Sequence, residues 1–231
     1  MDAYVITIGG NAISEDAARV CIESSWDIKN DFSVKKFWAT TPDMAEKTLK
    51  DYKLKWNWPW EGELHDMASG LKKSAYQTAD RLARVGCSLS HFRLWYLCST
   101  RNESIIVLEH DAIFKHKLDP DKYLNRGYDI IGLNSPLGAT RKAQVFHNTI
   151  QSSKNDLQSC PVIDNTFIPQ GIAGNSAYIL TPDGAEALMK ASYKFGLWPN
   201  DAIMCRQIIS NLGVTKKYYT DIQRTRSTTT L

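Results

Sequence analysis

The sequence predicts an α/β fold: a mostly parallel sheet of short strands, covered by helices on both faces. Three observations carry that expectation. Apolar runs of strand length alternate with segments of helical periodicity through most of the chain. Helix starts are chemically explicit, as in Thr181-Pro182-Asp183, where a Thr N-cap precedes Pro at the first helical position. The 231 residues, 43% of them hydrophobic, suffice to bury one sizeable core, so a single domain over residues 1–231 is expected.

In chain order, residues 4–8 read as a buried strand and Gly9-Gly10-Asn11 as the turn after it. Ser14 is placed to cap a helix with Glu15 and Asp16 in its first turn and Ala17, Val20, Cys21 and Ser24 on its inner face. A short strand over 37–40 stops at Pro42, and 44–52 forms the next helix. Periodicity fails over about 53–78, a candidate substrate loop in which Trp56, Trp58 and Trp60 either stack on sugar faces or form a satellite core. Leu82, Val85, Leu89, Phe92 and Tyr96 then recur at helical spacing and lead into an apolar strand ending near residue 108. Residues 128–133 make a further strand, about 135–169 an irregular surface excursion, and 176–180 the strand before the Thr181 helix. Asn200 is placed to cap a last helix that carries Ile203, Ile208 and Leu212 and stops at Gly213.

With 28 Lys+Arg against 25 Asp+Glu the formal charge is +3, too small a surplus to predict nucleic-acid binding. The five cysteines are dispersed and contain no C-x-x-C pair, which argues against a zinc site or disulfide framework and for free thiols in a reducing compartment. Met1-Asp2 lacks the basic start of a signal peptide, and no apolar run approaches the ~20 residues that span a bilayer. A cytoplasmic protein without stable membrane insertion is expected.

The chemistry is concentrated where an apolar run ends in Glu109-His110-Asp111. In an extended chain, residues i and i+2 project to one side roughly 6.5 Å apart, so Glu109 and Asp111 are expected to face one centre while His110 points away. Such hard oxygen ligands suit Mg²⁺ or Mn²⁺, which complete their shells with water and phosphate oxygens, so the substrate is expected to carry a phosphate or diphosphate. The plainer reading of the same spacing is a strand leaving the core through two solvated acids. Thr7 and Asn11 end the first strand, where a nucleotide base would lie, although an ordinary strand-to-helix turn also accounts for them.

Upstream, Arg84-Val85-Gly86-Cys87-Ser88-Leu89-Ser90-His91-Phe92-Arg93-Leu94-Trp95 sets Ser90 and His91 into an apolar helix. Together with the Glu109-His110-Asp111 strand, it resembles glycosyltransferase family 25, which includes bacterial lipooligosaccharide galactosyltransferases and collagen galactosyltransferases. Ala173-Gly174-Asn175-Ser176-Ala177-Tyr178 is similar to the family's Gly-Thr-x-Gly-Tyr strand, and Trp198-Pro199-Asn200-Asp201 to its later Pro-x-Asp element. The resemblance implies a GT-A-like, Rossmann-like nucleotide-sugar-binding fold. It also implies inverting transfer of a hexose, galactose or glucose, from a UDP-sugar to a glycan or other acceptor hydroxyl, as in lipopolysaccharide biosynthesis.

Residue by residue, the resemblance implies Asp111 and Glu109 as ligands of Mn²⁺ or Mg²⁺, with Glu109 alternatively on the donor's sugar or ribose. Asp201 is implied as general base, against the plain reading of a first-turn acid whose pKa the helix dipole lowers. His91 and Ser90 are expected at the site rim, His91 fixing the acidic loop or a sugar hydroxyl and Ser90 bonding the donor. Read from the residues themselves, Gly174, Asn175 and Ser176 either let the backbone approach the substrate or form an ordinary turn, and Arg224 and Arg226 either fold over the diphosphate or stay solvated in a polar basic terminus. The family has Asp where His110 stands, which leaves the local charge and metal preference open. The alternatives are a non-catalytic carbohydrate- or nucleotide-binding module, or a transferase whose acceptor is protein or nucleic acid.

Overall fold

The computed structural model describes residues 1–139, 142–163 and 165–223. The chain opens as the alternation predicts, with β1 (Asp2–Thr7), α1 (Ala12–Asp27), β2 (Val34–Trp38) and α2 (Pro42–Asp51). An antiparallel hairpin follows, β3 (Glu63–Asp66) with β4 (Leu71–Ser74), and then α3 (Arg81–Arg101), β5 (Ile105–Glu109), β6 (Ala112–Phe114) and β7 (Ile130–Gly132). The remainder is α4 (Ala143–Ser152), β8 (Leu157–Ser159), β9 (Ala177–Leu180), α5 (Pro182–Phe195), α6 (Asn200–Ile203), β10 (Leu212–Thr215) and β11 (Thr220–Ile222).

Seven strands form one sheet in the order β2-β1-β5-β9-β7-β10-β8. Its pairings send β2, β1, β5, β7 and β10 in one direction, with β9 and β8 against them. The period-two geometry of each strand divides its side chains between two cores. Tyr4, Ile6, Ile105, Val107, Tyr178 and Leu180 enter the core beneath α2, α3 and α5. Ala3, Val5, Ile106, Leu108, Ala177 and Ile179 enter the other, with Ala18 and Cys21 of α1 and Phe114 of β6. Burial on both faces is why these strands read as continuous apolar runs.

α3 is the central helix. The Asp80 side chain caps it, accepting from the Leu82 and Ala83 amides, and its Leu89, Phe92, Leu94, Trp95 and Cys98 are fully buried. The β3–β4 hairpin is fastened by Lys73, whose buried ammonium lies 2.9 Å from the Asp66 carboxylate and donates to the Asn57 carbonyl at 2.9 Å. The same group sits 4.0 Å from the Trp198 ring centroid.

Several elements depart from the sequence reading. The N-cap of α1 is Asn11, whose Oδ1 accepts from the Ser14 amide, while the Ser14 hydroxyl accepts from the Ile8 amide and ties the helix to the end of β1. The supposedly irregular 53–78 and 135–169 stretches contain the β3–β4 hairpin, α4 and β8. Trp58 is core, and Trp56 and Trp60 stack on each other with centroids 5.0 Å apart, which is the satellite-core arrangement. The last helix stops at Ile203, and Leu212–Thr215 is instead the buried strand β10 between β7 and β8. No described helix is long and apolar enough to cross a membrane.

Candidate active site

Strand parity brings the first part of the site together. Ile105, Val107 and Glu109 share the β5 face that meets α3, and Tyr178, opposite Val107 in the β5–β9 register, shares it too. On α3, Cys87, His91 and Trp95 are four residues apart and so form one stripe toward that face. The Trp95 indole N–H donates to the Tyr178 hydroxyl at 2.9 Å, and that hydroxyl lies 2.9 Å from His91 Nδ1. His91 Nε2 lies 3.3 Å from Glu109 Oε1. One assignment satisfies all three contacts: the Tyr178 proton goes to Nδ1, and a neutral His91 donates from Nε2 to the Glu109 carboxylate. The chain is buried up to Glu109, whose side chain is 29% exposed, so His91 is an orienting brace for that carboxylate.

The strand ends at Glu109, and His110 and Asp111 form a turn into β6 rather than continuing extended. Glu109 and Asp111 are therefore not paired by the two-residue repeat of a strand, and Asp111 is delivered by the turn. Gln223 holds that turn, its amide donating to the Asp111 carbonyl at 2.7 Å and its side chain to the Ala17 and Ala112 carbonyls. Asp111 Oδ1 is buried without a hydrogen-bond partner, and burial followed by the Glu109 charge pushes this carboxyl up to about 7. Burial likewise lowers the pKa of His110.

Asp201, at the start of α6, is open to solvent yet crowded by protein. Burial and then the Glu109 charge raise its pKa, partly offset by Arg84. This reverses the expected lowering, because a helix of one turn has little dipole to offer. Tyr76 and Asp201 line one cavity, and the half-buried Cys87 thiol, pushed up by burial, feels Glu109, Asp201 and Asp111 together. The three carboxylates therefore converge around one end of α3. Close packing fixes this arrangement: a Cβ on Gly171 would lie 1.9 Å from the Met204 carbonyl oxygen and 3.2 Å from that of Asp201.

The segment before β9 closes the site. Gly174 (φ +82°) and Asn175 (φ +42°) are both left-handed, and the Ser176 carbonyl accepts from the Glu109 amide at 2.8 Å. Asn175 Oδ1 and Ser176 Oγ are buried without partners, as are Asn134 Oδ1 and Thr220 Oγ1. Asn134 donates to the Ala173 carbonyl at 2.8 Å and bridges to Thr220, so these orphaned atoms line the same strand ends. Unpaired buried groups are costly unless a ligand satisfies them. Asn134 and Thr220 were missed in the sequence, although Asn134 carries the Glu109 signal, a polar residue just beyond an apolar strand.

Other expected site residues have structural duties. Ser90 is not at a rim: it is fully buried, accepts from the Thr40 amide at 2.8 Å and donates to the Gly86 carbonyl at 2.7 Å. Thr7 is fully buried and donates to the Val5 carbonyl, and Asn11 spends its Oδ1 on the α1 cap. Arg224 and Arg226 lie outside the described residues.

Two groupings bear on a metal. The ligand atoms of Cys87, His91 and Glu109 lie within 4.8 Å of one another, but both His91 nitrogens are engaged in hydrogen bonds and the thiol is held protonated. This grouping is a brace. Asp111 and Glu109 are different: two repelling carboxylates, one with an unpartnered buried oxygen, form a hard donor set that fits Mg²⁺ or Mn²⁺. Beside Asp201, a cavity of about 620 Å³ opens between Tyr76, Phe146 of α4, Ile163 and residues 168–174.

Residues 29–204 match the family described as Glycosyltransferase family 25 (LPS biosynthesis protein). No curated protein is significantly similar to the chain in sequence. Among solved structures, the chain is similar to mouse xyloside xylosyltransferase 1 in its apo form, at 13% identity and a TM-score of 0.36, over 88% of this chain and 81% of that one. It is also similar to the galactosyltransferase LgtC in complex with donor and acceptor sugar analogs, at 8% identity and a TM-score of 0.43, over 93% and 72% of the two chains.

Proposed function

Because this chain belongs to glycosyltransferase family 25 and is accordingly a glycosyltransferase, we propose that it moves a hexose from UDP-galactose or UDP-glucose to an acceptor hydroxyl with inversion. The observation that supports this reading is the convergence of Glu109, Asp111 and Asp201 beyond the carboxyl end of β5, where ligands of open α/β sheets bind. Asp111 and Glu109 are the residues to hold Mn²⁺ or Mg²⁺, which when bound would neutralise charge on the diphosphate leaving group. His91, fixed by Tyr178, keeps the Glu109 carboxylate turned into the site.

Asp201 is the general base. The acceptor oxygen bonds to the anomeric carbon as that carbon's bond to the diphosphate oxygen breaks, the hydroxyl proton passes to Asp201, and UDP leaves with the bonding electrons. One displacement of this kind inverts the anomeric configuration. A raised pKa makes Asp201 a better proton acceptor than an ordinary carboxylate. Asn134, Asn175, Ser176 and Thr220 offer the unpaired oxygens that sugar hydroxyls would satisfy. The test is UDP release from each UDP-hexose with Mn²⁺, by wild type and by Asp111→Ala. Release confined to wild type with metal supports the reading, and equal release by both proteins contradicts it.

A further inference from the structure

We propose that the cavity beside Asp201 is an acceptor subsite for an apolar body, so that the acceptor is amphipathic, its hydroxyl presented to Asp201 and an alkyl or aryl group held in the cavity. The inference rests on Asp201 as the base of the proposed transfer. The cavity, about 620 Å³, is within the range of small-molecule sites and larger than one hexose requires. Its apolar wall is Phe146, Ile163, Ile168, Pro169 and Ile172. Among the described residues, the polar side chains of the lining besides Tyr76 and Asp201 are Lys142 and Gln170, and the Gln170 amide is already engaged. Its Oε1 accepts from the Ile163 amide at 2.7 Å and its nitrogen donates to the Asn165 carbonyl at 2.8 Å.

A sugar seated there would leave hydroxyls unpaired against aliphatic side chains, whereas an apolar group gains from every square ångström it buries. The mouth continues the same chemistry. Ile168 is 37% exposed and its neighbour Phe167 59% exposed, and the Phe167 carbonyl accepts from the Lys72 amide at 2.7 Å. That bond joins the segment to the β3–β4 hairpin, whose turn presents Met67 at 86% exposure. Position in the sheet separates the subsite from the donor. Glu109, the proposed donor-side ligand, ends β5, whereas the cavity is lined by the segment that leads into β9, with Asp201 open to it.

The test is calorimetric binding of hexyl β-D-glucopyranoside, below its micellar concentration, against methyl β-D-glucopyranoside. Wild type is expected to bind the hexyl probe at least tenfold more tightly. Ile168→Asp and, separately, Ile163→Asp are expected to abolish that preference while leaving the UDP- and Mn²⁺-dependent thermal shift in place. Equal affinity for the two probes, or a preference that survives both substitutions, overturns the subsite assignment. The nucleotide shift is read on the same samples: its absence from wild type counts against the transferase reading, whatever the glucosides do. A hexyl preference without that shift supports the apolar subsite alone.

Discussion

Replacing Tyr178 by Phe isolates the brace behind Glu109. The ring stays in its buried place between β9 and α3, and one oxygen is lost. That oxygen accepts from Trp95 and pairs with His91 Nδ1, both at 2.9 Å, so the substitution strands two polar groups where exposure is close to zero. At about 1–3 kcal/mol for each stranded group, the cost is about 2–6 kcal/mol, or roughly 5–20 °C in thermal midpoint for a chain of this size. Nδ1 also loses its proton donor, which frees the imidazole to change tautomer and release Glu109. Circular dichroism melts of the two proteins read the stability cost, and Mn²⁺ titrations in the presence of UDP read the loss of Glu109 orientation. A midpoint within about 2 °C of wild type, with unchanged Mn²⁺ dependence, would refute the claim that Trp95, Tyr178, His91 and Glu109 act as one chain.

Asp201→Asn is expected to lower kcat by roughly 10²–10⁴ with little change in UDP affinity, because it removes a proton acceptor and not a donor-site contact; steady-state kinetics beside UDP titrations separate the two. Gly171→Ala forces a methyl against the Met204 carbonyl and is expected to cost about 3 kcal/mol or more and to displace Asp201, seen as a lower melting midpoint together with lost turnover. Lys73→Met leaves the hairpin carboxylate Asp66 without its cation, at a cost on the order of 3 kcal/mol at neutral pH. Burial pushes the Asp66 carboxyl up, but Lys73 and Ser69 outweigh it and hold the folded value below 3.8. The stabilisation is therefore present above that pH and lost as pH falls through the folded value, so melts across the acid range should show the two proteins converging below about pH 4.

Local rules made part of this architecture legible. The opening β1-α1-β2-α2 order, the start of α3 and the acid at the end of β5 follow from apolar periodicity and caps that neighbours in sequence decide. Elsewhere tertiary pairing overrode local pattern. Ile208 and Leu212 have helical spacing, but Leu212–Thr215 is drawn into the sheet between β7 and β8 and buried throughout. α4 was hidden because its buried positions, Ala143, Phe146 and Ile150, are few and set among polar residues. In the site, Glu109 and His91 were visible as polar residues in apolar elements, whereas Tyr178, Tyr76 and Gln223 act beside residues more than 80 positions away, which no local signal encodes. Ser90 was misjudged for a related reason. It too is a polar residue in an apolar helix, and its partners, Thr40 and Gly86, are backbone groups.

The central claim is that Asp111 and Glu109 hold a divalent cation for a nucleotide-sugar donor. The most direct measurement is the thermal midpoint of wild type and Asp111→Ala with UDP, GDP, CMP and their sugar conjugates, each with and without Mn²⁺. A donor present at a hundred times its Kd stabilises by ~2.7 kcal/mol, or roughly 5–10 °C for a chain of this length. The account predicts a shift of that size for UDP and a UDP-hexose, dependent on Mn²⁺ and absent from Asp111→Ala. A wild-type protein that no nucleotide stabilises in the presence of metal, or a shift that Asp111→Ala retains in full, would contradict it.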